Sequence, residues 1–188
     1  MKRTDIDLEG LSNLVEQGYI VFDVEPDSTG NNLFWLHMNH YDANHNLVKQ
    51  SDFTCLDSVN QTKELIMLRL LDKPYSKLAL SKEKVARQLK AYLNKQEIAY
   101  LPIFGYGVFN LDLPILNKLL PDYDRLVYDV GHLLSISLGE PMMSLRDASN
   151  YLSLGKAPKQ NNTNHNPIQD TELTQIVLKG ILALSELM

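Results

Sequence analysis

Residues 19–24, YIVFDV, form the stretch on which the predicted fold depends. Every side chain except Asp23 is aromatic or aliphatic, and residues of these types favour strands. Residues 33–41 and 47–56 also have strand composition. The turn-forming stretch DSTGNN lies before the first of these two strands, and DANHN lies between them. The sequence therefore predicts a central strand followed by two more strands in an antiparallel meander.

After the meander, the apolar residues change from the spacing of strands to that of helices. The predicted helices cover residues 5–17, 62–72, 81–95, 111–120, 144–154 and 167 to near the end of the chain. Strand composition returns at residues 98–104 and 126–130. This order predicts one α/β domain over residues 1–188, with three α/β/α layers around a mixed five-stranded sheet.

The charge and cysteine content limit the class of protein. Lys and Arg total 18 and Asp and Glu total 23, and the net charge of −5 argues against a broad basic face for duplex nucleic acid. An enzyme that grips a few nucleotides at a strand end remains compatible with that charge. Cys55 is the only cysteine, which excludes an intramolecular disulfide and suits a reducing compartment.

The sequence also carries no targeting signal that we recognise. The first ten residues, MKRTDIDLEG, lack the apolar segment of a secretory signal. No apolar run approaches the roughly 18 residues that a membrane-spanning helix needs. We therefore expect a cytoplasmic protein with no membrane partner.

Two acidic residues occupy the end of the most apolar strand. Alternation places Asp23 and Glu25 on the same face, where two carboxylates repel each other and lose hydration. A bound divalent cation is the usual compensation, and oxygen ligands suit Mg²⁺ or Mn²⁺. For this pair alone, the alternative that both acids face solvent beyond the sheet edge is favoured.

A third acid, Asp112, lies between a predicted strand and an apolar helix in NLDLPIL. It could serve a site at the end of that strand. Equally, Asn110 or Asp112 could simply cap the helix, because both residue types are good N-caps. The segment alone does not separate these alternatives.

The last acidic motif is HNPIQD, residues 165–170. Asn166 suits an N-cap and Pro167 the first helical position, which places Asp170 in the first turn, where the helix dipole favours it. His165 comes just before the helix, in an Asn-rich stretch. A single histidine in a polar loop is more often a surface residue than a catalyst.

In combination these motifs resemble the DEDDh family of 3′→5′ exonucleases, which have an RNase H-like fold. The match consists of FDVE with Asp23 and Glu25, NLDLPIL with Asp112, and HNPIQD with His165 and Asp170. The stretch MSLRDASNYLSLG is similar to the helix that precedes the family's third motif. The resemblance extends from about residue 19 to residue 184.

The resemblance implies a catalytic set and its cofactors. The four acids would hold two divalent cations, Mg²⁺ or Mn²⁺, which clamp the scissile phosphate, activate water and stabilise the leaving 3′-oxygen. His165 would be the general base. The expected substrate is the 3′ end of single-stranded DNA or short RNA, which releases nucleoside monophosphates. A polymerase or a second copy of the chain could lend affinity as a partner.

The chain departs from the family pattern where substrate contacts are expected. Pro26, which has no backbone N–H, follows Glu25 where the family has Thr or Ser. Gly107 or Val108 stands near the place of a family Asn, and Leu111 replaces a Phe. These departures motivate an alternative function, a catalytically weak module that binds nucleic acid or a partner. A third hypothesis is an endonuclease on the same fold.

Four further residues are candidate substrate contacts, namely Tyr106, Asn110, Lys156 and Lys159. Tyr106 could contact a sugar or base, or it could simply pack in the core. The lysines could meet phosphates, or they could be ordinary solvated side chains of a loop.

Other residues are expected to be structural. His37, His40 and His45 are predicted to be surface histidines, because the first two point to opposite faces of a strand. One of Phe34 and Trp35 is expected in the core and the other could be exposed. Asp129 is expected to have a structural or peripheral role.

Overall fold

The structure is a computed structural model that describes residues 1–3, 8–27, 29–55, 79–155 and 166–185. The helix predicted over residues 62–72 lies outside the described residues, and so do Lys156, Lys159 and His165. Over the described ranges, no helix is long and apolar enough to cross a membrane.

The described residues form a mixed sheet with helices on both faces. The strands are β1 Lys2–Arg3, β2 Tyr19–Pro26, β3 Leu33–Tyr41, β4 Leu47–Cys55, β5 Ala79–Leu80, β6 Ile103–Gly105 and β7 Leu126–Asp129. The helices are α1 Leu8–Val15, α2 Lys82–Leu93, α3 Asp112–Leu119, α4 Val130–Leu138, α5 Leu145–Leu152 and α6 Pro167–Ser185.

The strands are arranged in the order β1-β7-β6-β2-β3-β4-β5. The strands β2, β3 and β4 pair antiparallel, as the predicted meander requires, and β6 and β7 continue parallel to β2 on its other side. Two-residue strands, β1 and β5, extend the edges in parallel. The five longer strands thus confirm the mixed five-stranded sheet, and the two short edge strands are additions that the sequence analysis did not predict.

A hydrophobic core on each face of the sheet confirms the three-layer architecture. Strand β2 contributes alternately to both cores, with Phe22 and Val24 on one face and Tyr19 and Val21 on the other. The first core is covered by α2 and α3, and the second by α1, α4, α5 and α6. Such double coverage is why β2 is apolar at nearly every position.

The structure differs from the prediction in one strand and in one additional helix. The strand predicted over residues 98–104 begins only at Ile103, because the backbone N–H groups of Ile98 and Ala99 both donate to the Lys95 carbonyl in turns. The apolar Ile98 and Leu101 are buried from these turns rather than from a strand. Helix α4 was not predicted, although Asp129 caps its start and Gly139, with a φ of 67°, ends it.

The topology places the acidic motifs at one edge of the sheet. The parallel strands β2, β6 and β7 have their carboxyl ends on the same side. Glu25 lies at the end of β2, the segment after β6 leads to Asp112 at the start of α3, and Asp129 ends β7. Ligands of open α/β sheets usually bind at this edge.

Candidate metal centre

Strand β2 supplies two of the predicted ligands. Asp23 lies opposite His37 and Glu25 opposite Trp35 in the antiparallel pairing with β3. Glu25 is buried and Asp23 is half-buried, so both carboxylates are partly shielded from water. The pairing register breaks between Glu25 and Pro26. Proline has no backbone N–H for the hydrogen bonds between strands, and such a bulge is one of the places in a sheet where it is tolerated.

Helix α6 brings Asp170 to the same place. The Asn166 side chain accepts a 3.1 Å hydrogen bond from the Ile168 amide, which confirms Asn166 as the N-cap, and Pro167 is the first helical residue as predicted. The Asp170 amide donates to the Asn166 carbonyl at 2.8 Å, and the Asp170 side chain is buried. The helix start therefore fixes the backbone from which this carboxylate projects.

The three acids form a compact donor set. One carboxylate oxygen from each of Asp23, Glu25 and Asp170 lies within 4.8 Å of the other two. Asp112, the first residue of α3, is buried at 6% exposure. The N-cap position of α3 is occupied by Leu111, so neither Asn110 nor Asp112 holds it.

The electrostatics of these acids show how closely they interact. Burial raises the pKa of Asp23 well above its usual range, and the charges of Asp112, Asp170 and Glu25 raise it further. Burial likewise raises the pKa of Asp112, and the charges of Glu25, Asp129 and Asp170 add to the effect. A divalent cation relieves the mutual repulsion of clustered carboxylates. An all-oxygen donor set fits Mg²⁺ or Mn²⁺.

Asp129 has the structural role that the sequence analysis expected. Its Oδ1 accepts hydrogen bonds from the amides of Gly131 at 2.9 Å, His132 at 3.2 Å and Gly107 at 2.9 Å. The first two bonds cap α4, and the third ties the segment after β6 to β7. Gly107 has a φ of 65°, in the left-handed region that favours glycine.

Of the candidate substrate contacts, two lie in the described part of the chain. The Tyr106 hydroxyl donates a 2.7 Å hydrogen bond to the Met143 carbonyl, and its half-buried ring packs in the second core. Burial raises the pKa of Tyr106 to about 12. Asn110 is exposed two residues before Asp112. A substrate role for either residue stays a prediction.

The prediction of surface histidines is wrong for His37. This side chain is only 1% exposed, and its ring nitrogens lie 2.7 Å from Asp52 Oδ1 and 3.0 Å from Asn39 Oδ1. His40 and His45 are half-buried, and burial lowers the pKa of His40. The cause is that β3 is buried almost throughout.

The expectation that one of Phe34 and Trp35 lies in the core is confirmed. Both are in fact buried, at 1% and 0% exposure, so the alternative of an exposed ring does not hold for either.

Comparison with solved structures identifies the fold. The chain matches Pop2p from S. pombe, in a form with Mg²⁺ and Mn²⁺ bound, with a TM-score of 0.59 and 12% identity over 95% of this chain and 92% of that one. It matches product-bound exonuclease I with a TM-score of 0.53 and 11% identity, over 92% of this chain and 46% of that one. No protein-family model matches the chain. A search of curated proteins likewise finds no match.

These similarities define an α/β protein of the RNase H-like fold, as the sequence motifs implied. The chain is therefore similar in fold to these two proteins, one of which is exonuclease I, and it carries an acidic cluster that could hold a metal ion.

Proposed function

We propose that the chain is a metal-dependent 3′→5′ exonuclease that acts on single-stranded DNA or short RNA and releases nucleoside monophosphates. The observation that carries this proposal is the convergence of Asp23, Glu25 and Asp170, with ligand oxygens within 4.8 Å of one another. Asp112 adds a fourth carboxylate whose pKa responds to the charges of Glu25 and Asp170. The likeness in fold to exonuclease I supports the same reaction class.

The four acids would hold two divalent cations, Mg²⁺ or Mn²⁺. When bound, these ions supply an activated water and charge stabilisation at the leaving 3′-oxygen. Asp23 and Glu25 sit on a rigid central strand and Asp170 on a capped helix, so their positions are set before a substrate arrives. His165, one residue before the cap, would take the proton of the attacking water as general base.

The expected substrate is a single strand end rather than a long duplex. The net charge of −5 offers little attraction for an extended phosphate backbone. Two bound divalent cations would neutralise the four carboxylates of the acidic cluster and offer direct contacts to one phosphate group. A polymerase or a second copy of the chain could supply the additional affinity.

Digestion of 5′-labelled oligonucleotides, with DNA and RNA side by side and with and without Mn²⁺, tests the proposal. We expect a ladder that shortens from the 3′ end only with the cation, and Asp23→Ala should abolish it. Asp122→Ala is the matched control, because this exposed aspartate lies in the connection from α3 to β7. Weak digestion that Asp23→Ala leaves unchanged would favour the binding-module alternative.

A circular single-stranded substrate separates the two nuclease hypotheses. An exonuclease has no end at which to start, so the circle should persist under conditions that digest the linear strand. Cleavage of the circle that Asp23→Ala removes would assign endonuclease activity to the same acids.

A further inference from the structure

A network of hydrogen-bonded polar side chains, most of them buried, connects the sheet to α6 on the face that carries the acids. Asp52 of β4 accepts a hydrogen bond at its Oδ1 from Trp35 Nε1 at 2.9 Å, and the same oxygen lies 2.7 Å from His37 Nδ1. His37 Nε2 lies 3.0 Å from Asn39 Oδ1, and Asn39 Nδ2 donates to Thr171 Oγ1 of α6 at 3.0 Å. His37, Asn39 and Thr171 are at most 1% exposed.

The bonds around Thr171 have a fixed direction. The Thr171 hydroxyl donates to the Ile168 carbonyl at 2.8 Å, so towards Asn39 it can only accept. The Asn39 amide nitrogen must therefore point at Thr171, which turns the amide oxygen to the His37 ring. Thr171 therefore determines the orientation of the Asn39 amide, and Asp52 contacts the other side of the His37 ring.

The hydrogen-bonded network ends at Thr171, the residue next to the proposed ligand Asp170. Thr171 follows Asp170 directly, in the second turn of α6. Farther along, α6 rests on the sheet through apolar residues such as Val177 and Ile181, and apolar packing is not directional. The bond from Asn39 is directional and joins the helix to the same strand pair that carries Asp23.

We infer that Asn39 and Thr171 are positioning residues that set the place of the Asp170 carboxylate relative to Asp23 and Glu25, with His37 and Asp52 orienting Asn39. This inference rests on the proposed metal site. Buried polar side chains such as His37, Asn39 and Thr171 are costly to desolvate, and well-packed apolar residues would serve stability equally well. The distinctive contribution of the network is therefore to the geometry of the site. A small displacement of the Asp170 carboxylate should lower the affinity for the metal.

Calorimetric titration of the full chain with Mn²⁺ tests the inference. Thr171→Val keeps the volume and removes the acceptor for Asn39, and we expect Mn²⁺ to bind at least about tenfold more weakly, as for other residues that orient metal ligands. Thr171→Ser retains the hydroxyl and should restore the affinity. Thr174→Val is the matched control, since this equally buried hydroxyl donates within the helix, to the Asp170 carbonyl at 2.7 Å.

Thermal unfolding in chelator separates positioning from stability. Thr171→Val and Thr174→Val should both lose stability, because each loses a helix hydrogen bond, but only the former should lose Mn²⁺ affinity. Wild-type Mn²⁺ affinity in Thr171→Val, or an equal loss in Thr174→Val, would overturn the inference. If the valine variants do not fold, Thr171→Ala and Thr174→Ala give the same comparison with a smaller side chain.

The outcome for the proposed function can be read from the same titrations. If the wild type binds Mn²⁺ and Asp23→Ala does not, the metal site stands whatever Thr171→Val shows. If the wild type binds no Mn²⁺, the proposed function and the positioning role fail together.

Discussion

One carboxylate oxygen of Asp23, on β2, lies within 4.8 Å of one carboxylate oxygen of Asp170, on α6. Two such charges repel each other by on the order of 3 kcal/mol where the effective dielectric constant is about 20. The raised pKa of Asp23 is a consequence of its burial and of this neighbourhood. The cluster therefore opposes folding in the absence of a cation and favours the binding of one.

Asp23→Asn should make the metal-free protein more stable and remove its response to metal. The amide keeps the size of the side chain and abolishes one of the repelling charges. At a Mn²⁺ concentration of 100 times Kd, the wild type should gain about 2.7 kcal/mol and the variant almost none. Thermal unfolding in chelator and in Mn²⁺ measures both effects. An equal Mn²⁺ response in both proteins would contradict the metal site, and Asp122→Asn should behave as the wild type.

The stability of the metal-free protein should fall as the pH rises towards neutrality. Asp23 and Asp112 have pKa values raised above the unfolded value of about 3.9, so the folded state holds their protons more tightly. The stabilisation is complete below about pH 3.9 and is lost as the pH rises through the raised pKa values. Urea unfolding in chelator across this range should show the decline, and Asp112→Asn should make it shallower. Equal declines in both proteins would refute this assignment.

Elements with strong local signals could be predicted closely from the sequence. Strand β3, Leu33–Tyr41, has the predicted bounds, and α6 begins at Pro167 because Asn166 and Pro167 specify a helix start by themselves. The shared face of Asp23 and Glu25 follows from strand alternation alone. These features depend on residues that are neighbours in the chain.

Features that depend on distant parts of the chain escaped prediction. Alternation correctly separates His37 from His40, but it carries no information on which face another element covers. His37 is buried because α6, from the far end of the chain, packs against β3. Helix α4 was missed because its short run VGHLLSISL lacks a charged face, and because Asp129, within the predicted strand 126–130, was given a structural role but not that of a helix cap. The approach of Asp170 to Asp23 was likewise an implication of the family resemblance alone.

His165→Ala should slow hydrolysis without weakening metal binding. A general base contributes typically 10²–10⁴-fold to the rate and donates no ligand to the cations. Single-turnover digestion of a labelled oligonucleotide measures the rate, and calorimetric Mn²⁺ titration measures the affinity. Loss of Mn²⁺ affinity in this variant would contradict the assignment of His165 as general base. Asp170→Asn is the contrasting variant, since it should lose both properties.

Asp27 should stabilise the turn that follows the ligands of β2. It is 4% exposed, and its Oδ1 accepts hydrogen bonds from the Thr29 hydroxyl at 2.6 Å and from the amides of Thr29, Asn31 and Asn32. Burial raises the pKa of Asp27, but these hydrogen bonds, with one from the Asn32 side chain, lower it by more, so that the resulting pKa is about 2. Its stabilisation is therefore present above pH 3.9, the approximate unfolded pKa, and is lost as the pH falls towards 2.

Asp27→Asn should accordingly cost about 2 kcal/mol at pH 7, the usual worth of hydrogen bonds to a charged group, and much less near pH 2. Urea unfolding at the two pH values measures the difference. Asp42→Asn is the matched control, because Asp42 accepts similar bonds from Asn44 and Asn46 in the next turn but is less buried. Its loss at pH 7 should be smaller, since water can replace the bonds there. Equal losses would mean that the turn chemistry acts without any contribution from burial.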